Sequence, residues 1–418
     1  MAATKHVYVV LHCLLERWFA RMRIVYITHY FPPMGRAAAT NTYRIVKGLS
    51  DRGHELTVFC PETRAHAPRS AMQNISQAYP FKVCYSFPTP RTISVVVPHL
   101  FNALRALKHQ YDLLITQFHL FHLASFTGVP LRIFKGKPWI VKVHDMIPYP
   151  ALPSVISKKG FINSCYGMSL RMCYGIFLKD IGKRSDKVLV LTRELQSLLL
   201  ENEFSPDKIA AIPHGVDTKI FSPPISNGNS TNKKTILYIG SMAPEDGLTS
   251  LVKAFALLNQ EKELNLTLIG DGPERLQLME LVKKLNLEQK VTFYRHIPHE
   301  LIAEFIKSAY ITVGPLCLSP INYYTIPTKI LEYFACGKPV VSSPVSKDIL
   351  TDEFTGFVVN KVTPENISEK LSVLIEDEKL ATEIGKKARR LVVEKFDWER
   401  VIDNIEKEIG DLEPHRFS

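Results

Sequence analysis

Residues 327–343 read PTKILEYFACGKPVVSS, and the fold turns on this stretch. A proline leads into an amphipathic run of helix length, Gly337 breaks it, and Lys338 and Pro339 open an apolar run. Proline suits a helix entry and glycine its exit, so the segment predicts a helix followed directly by a strand. Thr328, Lys329 and Glu332 fall on that helix, with Lys329 and Glu332 three residues apart on one face. A carboxylate placed there accepts two hydrogen bonds from a vicinal diol such as ribose, and the ammonium meets a phosphate. If the helix turns this face to water, the two form a solvated Lys–Glu pair instead.

The alternation of helix and apolar run continues in both directions. Before residue 222 strands are expected at 24–28, 55–60, 113–117, 139–144, 187–191 and 208–212. After residue 234 they are expected at 235–239, 265–269, 291–294, 311–313, 339–342 and 356–359, with helices at 273–285 and 301–309 among those between. Strands separated by helices give βαβ units and parallel sheets. Between the two sets lies SPPISNGNSTNKK (222–234), rich in Pro, Ser, Asn and Gly, which reads as a linker. Two open α/β domains follow, and ligands of such sheets sit at the carboxyl ends of the strands, so a cleft between the domains is the expected site.

The chain has 418 residues, 46% apolar and 22% charged, which excludes a disordered or fibrous protein. Its net charge of +11 is unevenly spread. Residues 1–215 hold 27 basic and 12 acidic side chains, and the remainder holds 25 and 29. Such asymmetry points to an anionic partner of the first half, nucleic acid or an anionic membrane surface, against a surface tuned for solubility. Seven scattered cysteines without a Cys-x-x-Cys pair fit reduced thiols, not a disulfide scaffold or zinc site. The apolar run at 7–15 is too short to span a bilayer and lacks a cleavage site; residues 1–21 read as an extension ahead of a first strand. No transmembrane helix is expected. Nor does any helix-turn-helix, zinc-finger or RNA-recognition motif support nucleic-acid binding.

Three further strand-to-loop junctions carry candidate chemistry. The first strand runs into HYFPPMGR (29–36), where Gly35 permits close backbone approach and a following helix presents free N–H groups to an anion, with Arg36 beside it. The strand near residue 140 ends in His144 and Asp145, where catalytic groups of α/β sheets sit, although a structural histidine fits as well. LIGDGP (268–273) is a strand, a turn with Gly270 and Gly272, and a helix start; it is not the dinucleotide Gly-x-Gly-x-x-Gly fingerprint.

Taken in order, these motifs resemble glycosyltransferase family 4, the retaining nucleotide-sugar enzymes of the GT-B fold. The resemblance runs from Met22 to about Ile405 through ITHYFPPMG, GHELTVFCPE (53–62), HDMIP (144–148), IPHGVDTKIFSP (212–223), ILYIGSM (236–242), LTLIGDGPERLQL (266–278), PTKILEYFACGKPVVSS and FDWERV (396–401). It implies two Rossmann-like doubly wound parallel-sheet domains facing across a cleft. The acceptor-side domain would be 22–221 and the nucleotide-sugar domain 235–395, with a helix at 396–418 crossing back.

By the same resemblance His144, with Asp145, is catalytic near the donor sugar, and Glu332 holds the ribose. Gly35, Arg36, Gly240, Ser241, Gly270, Gly272, Thr328 and Lys329 complete the donor site. The chain departs from the family at three places: Tyr324 replaces the first Glu of the Glu-x7-Glu motif, and Ser241 and Asp246 stand where Arg and Lys contact the diphosphate. The string YYTIPTK (323–329) is similar to the branch acting on amino-sugar donors and polyprenyl-diphosphate acceptors, which often lacks the same groups.

The expected activity is transfer from a nucleotide sugar to a lipid-linked or glycan acceptor with retention, and no cofactor. No Asp-x-Asp occurs, so no metal is expected, and helix N-terminal amides and basic side chains would meet the leaving diphosphate. The competing readings are a catalytically inactive nucleotide-sugar-binding homologue and a hexosamine-phosphate epimerase. Basic and apolar residues alternate through 157–187, and 92–105 adds an apolar edge; both suggest a cytoplasmic protein lying peripherally on an anionic membrane, not on nucleic acid.

Overall fold

A strand buried on both faces needs apolar side chains at every position and a helix on each side, which is what the short apolar runs and their amphipathic neighbours supply. The computed structural model describes residues 21–32, 37–61, 79–86, 97–119, 124–145, 175–224, 234–259, 263–295, 297–318 and 320–412. The chain divides into two compact units, Met1–Val190 with Leu199–Ala210 and Ile402–Ser418, and Leu191–Leu198 with Ala211–Val401.

The first unit carries β1 (Arg23–Ile27), α1 (Ala37–Asp51), β2 (Glu55–Cys60), β3 (Lys82–Tyr85), α2 (Val97–Leu107), β4 (Leu113–His119), α3 (Gly128–Lys135), β5 (Trp139–Asp145) and β6 (Lys187–Val190). After α4 (Arg193–Glu201), whose first residues belong to the second unit, comes β7 (Ile209–Ala211). The sheet order is β3-β2-β1-β4-β5-β6-β7, and β1 pairs in parallel with both β2 and β4. The strand β3 was not foreseen: KVCY is four residues long, starts with an exposed lysine and sits at the sheet edge, so it lacks the apolar run of a central strand.

In the second unit the order restarts with β8 (Lys234–Ile239), α5 (Leu248–Leu258), β9 (Leu264–Ile269), α6 (Arg275–Lys284), β10 (Val291–Tyr294), α7 (His299–Ser308) and β11 (Ile311–Val313). There follow α8 (Thr328–Ala335), β12 (Val340–Ser342), β13 (Phe357–Val358), α9 (Pro364–Glu376), α10 (Glu378–Lys395) and α11 (Trp398–Gly410). The order β10-β9-β8-β11-β12-β13 repeats the order of the first six strands of the other sheet. Along β8, Ile236 and Tyr238 enter one apolar cluster and Leu237 the other, the alternation of a strand covered on both faces.

From Ile402 onward α11 packs with the first unit. Arg52 Nε lies 3.0 Å from Glu406, His54 Nε2 3.3 Å from the same carboxylate, and Lys187 Nζ 2.7 Å from Glu408. In each sheet the chain reverses its direction of travel after the third strand, so β1 and β4, and β8 and β11, flank the crevice where doubly wound sheets bind ligands.

Candidate functional site

At the carboxyl end of β8 the backbone turns through Gly240, whose φ is 154°, and a second turn follows β9 at Gly270, φ 143°. Both values lie outside the range an L side chain readily adopts. The two loops also touch: a Cβ on Gly270 would lie 1.8 Å from the Gly240 carbonyl oxygen, and one on Gly272 would lie 2.5 Å from that of Met242. These glycines therefore let two strand-end loops pack backbone against backbone. A Cβ on Gly240 would stand 2.4 Å from the Lys329 ammonium, so the same glycine clears room for that side chain.

Lys329 sits in the first turn of α8, which Pro327 leads in with extended backbone and Gly337 follows with φ 70°. Its ammonium donates to the Tyr238 hydroxyl at 2.8 Å and to Asp246 Oδ1 at 3.2 Å, and lies 4.4 Å above the Tyr238 ring. The Ser241 hydroxyl donates to the other Asp246 oxygen, and the Tyr238 hydroxyl donates to the Ser241 carbonyl at 2.7 Å. Burial opposes the charge on Asp246, but Lys329 and the hydroxyls of Ser241 and Tyr238 outweigh it and hold the carboxyl below its ordinary range. Burial lowers the Lys329 ammonium and Asp246 partly restores it. An ammonium has three protons, two are used, and no acceptor among the described residues takes the third.

Lys329 is thus not half of a solvated pair with Glu332; it turns to Asp246, while Glu332, one turn on and half-buried, adds a favourable charge nearby. The structure gathers Gly240, Ser241, Gly270, Gly272 and Lys329 at one end of the second sheet, with Thr328 as the first residue of α8. Sequence reasoning missed Tyr238, which looks like any apolar strand residue. It read Asp246 only as a missing lysine, although a charged residue just before the left-handed Gly247 was a usable signal.

In the first unit His144 and Asp145 are the last two residues of β5, and their side chains are not among those described. Gly35, Arg36 and residues 157–174 lie outside the described residues. A second polar cluster sits on this sheet's α1 face. Gln117 Oε1 accepts from the hydroxyls of Thr28 and Thr42, the latter at 3.1 Å, and Lys142 is its register partner on β5. Among the described residues the buried Lys142 Nζ and Gln117 Nε2 find no acceptor there, nor does Asn41 Nδ2 on α1. Burial pushes the Lys142 ammonium down to about 8.

Residues 38–220 match the family model "Glycosyltransferase Family 4" and residues 224–391 match "Glycosyl transferases group 1". An uncharacterized glycosyltransferase of Methanocaldococcus jannaschii is 21% identical over 398 residues, 92% of this chain and 97% of that relative. The N-acetyl-alpha-D-glucosaminyl L-malate synthase of Bacillus anthracis is 27% identical over 181 residues, 43% of this chain and 46% of that relative. Among solved structures, Anabaena HepE in complex with UDP-glucose superposes with a TM-score of 0.70 at 17% identity, covering 94% of this chain and 100% of its own. That likeness shows the GT-B fold.

Proposed function

We propose that this chain, a GT-B glycosyltransferase of the family 4 type, moves a sugar from a nucleotide-sugar donor to a glycan or lipid-linked acceptor with retention at the anomeric carbon. The observation that carries the reading is the Lys329 ammonium, fixed by Tyr238 and Asp246 at the switch point of the second sheet with one proton to spare. A diphosphate oxygen takes that proton. Backbone amides at the N-terminus of α8 and the close-packed turns at Gly240, Ser241, Gly270 and Gly272 supply the remaining donors, and Glu332 takes the ribose hydroxyls.

The leaving charge is met by these groups without a metal. The same reading assigns Gly35 and Arg36 a role in holding the donor phosphates and His144 and Asp145 a role at the reacting end. The relative that makes an N-acetylglucosaminyl product and the neighbour holding UDP-glucose support a UDP-hexose or UDP-N-acetylhexosamine donor, the latter in keeping with the YYTIPTK string.

Incubation with a panel of nucleotide sugars tests the reading. Wild type releases the nucleotide from one of them, and Lys329→Gln lowers kcat/KM by about a hundredfold. Anomeric proton couplings of the fresh product report retention; an inverted product overturns that part. Chelator leaves the rate unchanged if no metal takes part. Asp246 in place of a cation favours one competitor, a nucleotide-sugar binder without activity, which predicts a raised melting temperature with no release.

We also infer a peripheral position on the cytoplasmic face of an anionic membrane. On α2, Leu100 is 60% and Leu104 54% exposed; on α3, which packs beside it, Ile133 is 65% and Phe134 73% exposed. Neither helix holds an acidic residue, and the exposed Lys108 and Lys137 flank them. Apolar side chains ringed by ammonium groups suit anionic lipid. Among the described residues no helix is long and apolar enough to cross a membrane. Vesicle flotation that ignores lipid charge and salt overturns this placement.

A further inference from the structure

The amino ends of β11 and β12 lie at the opposite end of the second sheet from Lys329, and a cavity of about 830 Å³ opens there. Its walls come from the turn after α8 (Cys336–Pro339), the residues before β11 (Ala309 and Tyr310), one face of α10, and Pro223 with Pro224. The volume falls within the ~300–1,000 Å³ range of small-molecule sites. Four cations, Lys338, Lys386, Arg389 and Arg390, line it against one carboxylate, Glu394.

How those charges are spent decides the ligand. Arg390 is taken by Glu394 at 2.7 Å, and Lys386 makes an exposed pair with Glu383 at 2.8 Å. Arg389 donates only to carbonyls, those of Phe221 at 2.9 Å, Ala335 at 2.7 Å and Thr218 at 3.1 Å. Its position is thereby locked, and no carboxylate bonds to it directly; burial opposes its charge and Asp397 favours it only from a distance. Lys338 is half-buried; its ammonium has no hydrogen-bond or ion-pair partner among the described residues, and burial lowers it below the ordinary value. Desolvating an ammonium without a counter-charge is costly, so the site gains most from an anion that reaches Lys338 and Arg389 together.

We infer that this cavity is a second anion site, separate from the donor site, that takes the phosphate group of a small phosphorylated molecule whose body lies against Pro223, Pro224 and Val393. A phosphate suits it better than a single carboxylate because two cations, neither bonded directly to a carboxylate, line the cavity from different elements, and a dianion satisfies both. Six residues of α8 lie between Lys329 and this turn, which begins at Cys336 about 10 Å further along the helix axis. The inference rests on the cavity alone and stands or falls apart from the transferase reading.

Calorimetric titration with inorganic phosphate and with glucose 6-phosphate, in the presence of saturating UDP, tests it on the full chain. Binding persists under UDP, glucose 6-phosphate binds more tightly than phosphate, and Lys338→Gln weakens both at least tenfold. Lys329→Gln leaves both unchanged. A second variant, Lys386→Gln on the exposed rim, weakens them about threefold and guards against misfolding of the first. Phosphate that UDP displaces fully, or affinities that ignore Lys338 and Lys386 in variants with wild-type circular dichroism, overturn the site. Phosphate binding without any gain from the sugar body overturns the claim for a phosphorylated small molecule.

Discussion

The two sheets follow one strand order and switch at the same place, yet they handle the polar groups near that place in opposite ways. In the second unit Tyr238, Ser241, Asp246 and Lys329 close into a network in which each charge meets its counterpart. In the first unit Gln117 accepts two hydroxyl donors while its own amide, the Lys142 ammonium and the Asn41 amide are buried without acceptors among the described residues. A closed network fixes its members in one geometry, which a site must have before ligand arrives; open donors hold unfavourable energy in the fold. The same topology therefore supports a preorganised charge in one half and a strained one in the other.

Breaking the closed network has the largest expected effect. Asp246→Asn leaves Lys329 buried beside a neutral amide, and removing one partner of a buried pair costs about 3–5 kcal/mol. Urea unfolding followed at the second unit reads that loss, and Lys329→Gln on the same background recovers part of it because the uncompensated charge is gone. A single-variant loss no greater than that of an exposed pair removes the contrast between the two halves.

Relieving the open cluster comes next, with the opposite sign. The folded-state value of Lys142, about 8, lies below its ordinary 10.5. Between those values the unfolded chain binds more protons than the folded one, so stability rises with pH through the window and is lowest below it. The gap corresponds to about 3 kcal/mol at neutral pH. Lys142→Met keeps the length of the side chain, raises neutral stability by about that amount and flattens the rise between pH 8 and 10.5. Stability that is equal in the two proteins at pH 7 and at pH 10 counts against a strained lysine.

Much of this contrast was hidden in the sequence, for a physical reason. Strands such as ILYIG and WIVKVHD announce themselves by apolar runs, and the helix of PTKILEYFACG by its proline and glycine. A period of two along WIVKVHD would place Lys142 on a polar face, but helices cover both faces of a parallel sheet, so the lysine is buried. Asp246 read as a loss because a loop residue's partner lies 83 positions away, on α8, and no local pattern encodes that pairing. The edge strand KVCY escaped because an edge position relaxes the demand for apolar residues.

The smallest expected effect separates hydrogen bonds made from those left open within the first unit. Gln117 contributes one satisfied oxygen and one unsatisfied amide, so Gln117→Met removes both at once. The hydroxyls it served have other acceptors: Thr42 also donates to the Ala38 carbonyl at 2.9 Å, and Thr28 to that of Tyr30 at 3.1 Å. Loss of the accepted bonds costs about 1 kcal/mol, and relief of the buried amide offsets part of it. The expected net change in urea midpoint is therefore small, well under that of Asp246→Asn. A loss as large as the one at Asp246 means that the first cluster is as tightly coupled as the second, and that its open donors are held in place by Gln117.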